Sequence, residues 1–212
     1  MAKKEAPINH LQHFLPPNTF DAVYHYLQVH HVHLTVARER KSILGDYRHR
    51  TTAKNHRISV NGNLNSYAFL ITLLHELAHL LTFEQYGNRV ASHGKEWKGV
   101  FGNLLAQFIE HNVFPPDIRH ALLSSLHNPA ASSCADELLL RTLKKYDAHE
   151  SHLKMVEDVP HDALFQTHDG KVFRKGEKMR KRFKCLEVKT GKLYLFSPVY
   201  EVEVLDEKGN VA

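Results

Sequence analysis

Three residues in the stretch TLLHELAHLLTFEQYGNRVASHGKEW, Thr72 to Trp97, are placed to do chemistry together: His75, Glu76 and His79. Two histidines four apart on a helix project from one face at adjacent turns, where their imidazoles can share one metal ion. Glu76 lies one step round, close enough to take a proton from a metal-bound water without being a ligand. In such a site zinc lowers the pKa of the water and polarises a carbonyl. Glu76 would then act as general base and afterwards donate the proton to a leaving amine. The bland alternative is a pair of satisfied core histidines. Groups this polar in so apolar a segment are costly to bury unless a metal or hydrogen bonds compensate them, which favours the metal.

A catalytic zinc takes three protein ligands and keeps a fourth position open. Glu84, five residues after His79, would lie about 7.5 Å further along the helix and be turned roughly 140° away, too far round to join the pair. His93 is better placed. The helix overshoots His79 by about two turns, roughly 12 Å, and the six residues Gly87 to Ser92 are enough for the chain to double back. Glu96, one turn later, is the alternative ligand. Trp97 reads as a core residue of the following helix.

The elements that must position these groups are legible from periodicity. Pro16-Pro17-Asn18-Thr19 signals a helix start, and Phe20, Val23, Tyr24 and Leu27 give an amphipathic helix over about 19–30. Val32, Leu34 and Val36 alternate, as do Ile58 and Val60 before Asn61-Gly62, with a less clear extended piece near 44–49. These predict a small, mostly antiparallel sheet. Ser66 is a candidate N-cap for a helix apolar nearly all round and ending at Gly87. Trp97, Val100, Phe101, Leu104, Leu105, Phe108 and Ile109 form the stripe of the next helix, which Pro115-Pro116 ends; further helices are expected at 117–127 and 134–146. Asp169-Gly170 and Thr190-Gly191 then mark two β-hairpins. The resulting divisions are an N-terminal tail 1–17, a main domain 18–148, a linker 149–162 and a basic β-hairpin domain 163–212.

Composition bounds the function. The 212 residues carry a net charge of +5 and are 42% hydrophobic, enough for a real core without staples. Two cysteines, Cys134 and Cys185, exclude a disulfide framework and a four-cysteine zinc site. The start MAKKEAPINH lacks the hydrophobic segment of a secretory signal, so the expectation is a cytoplasmic protein without membrane attachment. The positive charge is concentrated between Lys171 and Lys192. There Lys171, Arg174, Lys175, Lys178, Arg180, Lys181, Arg182 and Lys184 are candidate nucleic-acid contacts, interleaved with Phe173 and Phe183 that could stack on unpaired bases. Alternation supports an equally simple outcome, aromatics in a core and charges on a solvated face. His30, His31 and His33 at a helix-to-strand junction, and His149 and His152, read as ordinary histidines.

With HELAHLLTFEQYGNRVASHGKEW assembled, and LGDYRHR and ISVNGNLNSYAFLITLLHELAH upstream, the sequence resembles the SprT family of zinc metalloproteases over about residues 20–110. The resemblance implies an α+β fold: a zincin-like domain with a small antiparallel sheet and the HExxH helix. It also implies zinc held by His75, His79 and His93, with Glu76 catalytic. It further implies endopeptidase action on protein substrates. Eukaryotic relatives, the Spartan proteases, degrade proteins crosslinked to DNA and are switched on by DNA, which makes single-stranded or damaged DNA an expected partner. Bacterial relatives commonly finish with a zinc ribbon. Residues Ala163 to Leu205 stand in that place with only Cys185 as a cysteine ligand, so the expectation is a ribbon that has lost its cysteines, held by Phe173, Phe183, Leu193, Leu195 and Val202. The competing reading is a non-catalytic DNA-binding adaptor with a structural or silent zinc site; hydrolysis of a small amide is a third.

Overall fold

Asn65 begins the helix around which the first unit is built. Its side-chain oxygen accepts from the Ala68 N–H at 3.0 Å and caps α2 (Ser66–Tyr86). The cap was expected at Ser66; the two residue types cap equally well, and the extended backbone of Asn65 decides between them. No Gly or Pro interrupts the 21 residues that follow. Gly87 closes the helix at φ 61°, donating its N–H to Phe83 O at 2.7 Å. The computed structural model describes residues 7–40, 43–126, 136–148 and 152–206. His127, Cys134, His149 and the start of the helix expected at 134 lie outside the described residues.

Phe69, Leu70, Ile71, Leu73, Leu74, Leu77 and Leu80 of α2 are at most 1% exposed. Each such side chain contributes about 1.5–3 kcal/mol by leaving water. By length and apolar composition α2 would pass for a membrane span; the core of the unit is what covers it. One face lies against a three-stranded sheet of β1 (His33–Ala37), β3 (Arg57–Asn61) and β2 (Gly45–Arg48), in that spatial order, with Ile58 and Val60 of β3 buried. The expected mostly antiparallel sheet is mixed: β1 runs parallel to β3, and only β2 is antiparallel to it. Short alternating runs identify strands but leave their neighbours open, and here the chain passes over β3 to reach the far edge before returning.

The remaining helices close the core. They are α1 (Phe20–Val29), α3 (Lys95–Glu110), α4 (Pro116–Ser125) and α5 (Glu137–Lys144). Asn65, besides capping α2, donates to Leu143 O at 3.0 Å and Asp147 Oδ1 at 2.7 Å, which pins the end of α5 to the start of α2. The segment taken as a tail contributes a 3-10 helix, Ile8–Phe14, whose Leu11 is buried and whose Phe14 stacks on Phe69 at 5.4 Å.

The chain divides into two compact units, Met1–Ala148 and His149–Ala212. The second is a six-stranded antiparallel sheet: β4 (Leu153–Met155), β5 (Leu164–Gln166), β6 (Val172–Met179), β7 (Arg182–Glu187), β8 (Leu193–Phe196) and β9 (Glu201–Leu205), in the order β4-β9-β5-β6-β7-β8. Its core is Val156, Val159, Phe165, Phe173, Cys185 and Val202. Two expectations are corrected. Residues read as linker supply β4 and two core valines. Leu193 and Leu195, expected to hold the ribbon, are 57% and 55% exposed, because they lie on the outer face of β8; Phe196 packs on the core from the other face, where the ring of Tyr194, still 39% exposed, meets Phe173. Gly170 and Gly191 turn at φ 80° and 68° as their hairpins require, whereas the β6–β7 hairpin turns at Arg180, φ 55°, with no glycine to announce it.

Candidate metal centre

Three histidine rings converge beside α2. His75 Nε2 lies 3.1 Å from His79 Nε2 and 3.3 Å from His93 Nε2, and among the described residues these three form the one group able to hold a metal, with ligand atoms within 4.8 Å of one another. His75 and His79 come from successive turns of α2; His93 comes from the turn between Gly87 and α3. Metal–nitrogen bonds of about 2.0–2.1 Å at tetrahedral angles put ligand nitrogens about 3.3–3.4 Å apart, so the spacing of these rings fits a zinc-sized ion.

Electrostatics fits as well. Burial, with His79 and His93 adding to it, depresses His75 to about 3. Burial and His93 depress His79 to about 4, and burial with Lys98 lowers His93. All three are neutral at pH 7, the form that carries a free lone pair. Beneath them lies Trp97, fully buried, its ring centroid 4.7 Å from those of His75 and His93 and 5.2 Å from that of His79. Phe101 stacks on Trp97 from the next turn of α3 at 5.0 Å. The indole is thus the floor of the cluster, a role beyond the core position expected for it; its place four residues after His93 was the available signal.

Glu76 is 6% exposed. Burial raises its carboxyl to about 8, Asp46 pushing the same way and Arg40 against it. The reason it fits is Gly45. A Cβ at position 45 would stand 2.5 Å from Glu76 Oε1 and 2.8 Å from Thr72 Cγ2, so the carboxylate occupies the space a side chain would need. The strand start is fixed by Asn61, 1% exposed, which accepts from Arg40 Nε at 2.7 Å and donates to the carbonyls of Arg40 at 3.1 Å and Ile43 at 3.0 Å.

Glu84 does not join the histidines. It meets His56 Nε2 and Arg50 at 3.3 Å each, while His56 Nδ1 pairs with Tyr47 OH at 2.9 Å and the Tyr47 ring lies parallel to that of His79 at 6.4 Å. This chain of contacts ties the end of α2 to β2 and backs a ring of the cluster. His56, 3% exposed, carried no sequence signal, since its neighbours are polar and irregular. Glu96, the alternative third ligand, faces Lys95 Nζ at 3.9 Å.

In the second unit the candidate cations separate. Lys175 is 5% exposed and donates to the carbonyls of Glu157 and Val159, so it is a buried strut and is removed from any surface contact. Lys171 pairs with Asp169 at 2.7 Å, and Arg174 donates to Asp162 O at 3.0 Å. Lys178, Arg180, Lys181, Arg182 and Lys184 are exposed. Phe173 faces the core at 2% exposure, and Phe183 is half-buried beneath Lys175 and Lys178, so neither ring presents a free face for a base.

The profile of the SprT-like family matches residues 15–120. Protein SprT of Escherichia coli is 39% identical over 79 residues, covering 30% of this chain and 47% of that protein, and Protein SprT of Shigella boydii matches to the same extent. The chain thus spans about half the length of the curated relatives it matches. No solved structure matches it.

Proposed function

Because this chain belongs to the SprT-like family, we propose that its first unit is a zinc-dependent endopeptidase in which His75, His79 and His93 hold the ion and Glu76 is the general base. The observation that supports this reading best is the convergence of three neutral ring nitrogens next to a buried carboxyl. Zinc bound there would supply a Lewis acid for water and for the substrate carbonyl. Glu76, ionised, takes a proton from the attacking water; protonated, it returns that proton to the leaving amine as the C–N bond breaks. Trp97 and Tyr47 keep the rings from turning away.

Among the described residues β2 has an open edge, and its start runs beside this carboxyl. Asn61 N–H donates to Leu44 O at 2.9 Å, which makes Leu44/Asn61, Asp46/Ser59 and Arg48/Arg57 the bonded pairs of β2 and β3. The N–H and C=O groups of Gly45 and Tyr47 therefore point outward. An extended peptide can add there as a further strand and pass Glu76, which favours a polypeptide over a small amide. The test is digestion of an unfolded protein by wild type and Glu76→Gln at equal zinc content. Wild type should cleave, the variant about 10²–10⁴-fold more slowly. Equal rates would remove Glu76 from the reaction, and no cleavage by zinc-loaded wild type would favour the adaptor reading.

We also propose that the tip of the β6–β7 hairpin contacts nucleic-acid phosphates, which would direct cleavage to DNA-bound proteins. Among the described residues no other strand pairs with this hairpin beyond Arg174 and Phe183, and Lys178, Arg180, Lys181 and Arg182 are all exposed there. Four phosphate contacts would lower affinity about 100-fold between 50 and 200 mM salt. Binding indifferent to salt would exclude such contacts.

A further inference from the structure

The outer face of β6, β7 and β8 is not what a solvated basic surface looks like. Leu186 is 39% exposed, Val188 53%, Leu193 57% and Leu195 55%. In register Leu186 lies across from Leu193, and Lys184 from Leu195, while Arg174 lies across from Leu186 on the other side. The leucines therefore form one stripe bordered by cations. Lys189 and Lys192, at the β7–β8 turn, are exposed as well, and Lys184, Lys189 and Lys192 have no acidic partner among the described residues. Glu187, the acid of β7, is on the opposite face and 5% exposed.

This stripe ends at an open edge, since among the described residues β8 pairs with β7 alone. Glu187 N–H donates to Lys192 O at 2.8 Å, so Tyr194 and Phe196 are the residues bonded to β7. Leu193 and Leu195 turn both backbone groups outward. Within Leu193–Phe196 there is no charge, proline or bulge to blunt the edge.

We propose that β8 is a docking edge for an extended acidic polypeptide segment, which joins the sheet as a seventh strand. Its backbone pairs with Leu193 and Leu195; on the outer face its apolar side chains extend the leucine stripe and a carboxylate reaches toward Lys184, while on the other face a carboxylate meets Lys192, the register partner of Glu187. Charge complementarity selects this occupant. A second copy paired edge to edge would bring two sheets of the same positive charge alongside each other, each carrying Arg174, Lys184, Lys189 and Lys192. Nucleic acid has phosphates for the lysines but nothing for aliphatic side chains on which bases do not stack. The proposal holds independently of whether the first unit cleaves peptides; if it does, β8 tethers acidic substrates or regulators.

The test uses the full chain and a labelled, capped peptide of repeated Val-Val-Glu-Glu, which as a strand presents both residue types on each face, followed by fluorescence anisotropy. Saturable binding is expected, weakened at least about tenfold by Leu195→Glu and by Lys184→Glu, and abolished when alternate peptide amides are N-methylated. Both replaced side chains are exposed; should Leu195→Glu lose its fold by circular dichroism, Leu195→Ser gives the same comparison. Three results would overturn the proposal: wild-type affinity in the variants, unaltered binding of the N-methylated peptide, or displacement of the peptide by an oligothymidylate at equal concentration. Sedimentation showing a dimer that Leu195→Glu dissolves would assign the edge to a second copy instead.

Discussion

The first unit buries its ionisable groups and the second displays them, and the two habits carry different amounts of information. On α2, His75, His79 and Glu76 are packed among leucines and an indole, and burial moves all three well away from their ordinary pKa values. Water would solvate each of them better, so the arrangement persists where some other interaction compensates. On the β6–β7 hairpin every candidate cation except Lys175 faces solvent, where a charge is stable without a partner. A buried titratable group therefore states a requirement, whereas an exposed charge states only a permission.

Acid and alkali should separate the two units most sharply. In the metal-free protein His75 and His79 sit at about 3 and 4 against an ordinary 6.5. Their contribution to stability is present above about 6.5 and is lost as pH falls through 4 to 3. Glu76, about 8 against 4.5, works the other way: its contribution is present below 4.5 and is lost as pH rises through 8. Melting temperatures of chelator-treated protein should fall on both sides of a mildly acidic optimum, and Glu76→Gln should flatten the alkaline side alone. An unchanged alkaline limb in that variant would contradict the burial argument.

Trp97→Ala should come next, destabilising the first unit by about 3–5 kcal/mol in urea unfolding and weakening zinc retention through loss of the floor under three rings. Unaltered zinc affinity would reduce Trp97 to core packing. Glu84→Gln should cost about 1–3 kcal/mol, because it breaks two contacts and leaves His56 short of a partner in a buried place; a neutral result by thermal denaturation would mean the Tyr47–His56–Glu84 chain does not brace α2. Smallest of all, joint reversal of Arg180, Lys181 and Arg182 to Glu should change stability by under about 0.5 kcal/mol while removing salt-dependent DNA binding in a filter or anisotropy assay. A large loss of stability there would show that the second unit also depends on its charges.

How much of this was legible follows the same division. The helix at Ser66–Tyr86 and the nearness of His75 to His79 follow from a 3.6-residue period, and the approach of His93 follows from the length of the turn, because both depend on local chain geometry. The parallel pairing of β1 with β3 and the inclusion of Met155, Val156 and Val159 in the second core depend on contacts far apart in sequence, which alternation does not encode. The face taken by Leu193 and Leu195 is not legible from their apolar character, because it is set by which face of β8 carries Phe196 to the core. The roles of Gly45, Tyr47 and His56 are not legible for a related reason, although LGDYRHR contains the first two: each acts through a side chain, or a missing one, on a different element.

Gly45 leaves a mark on the history open to this protein. The carboxylate of Glu76 fills the volume where any other residue would carry its first carbon, so positions 45 and 76 share one space and cannot drift separately. A side chain gained at 45 displaces the acid at 76 from this position, or Thr72 with it. A sequence that keeps the acid in this place is held to glycine at 45.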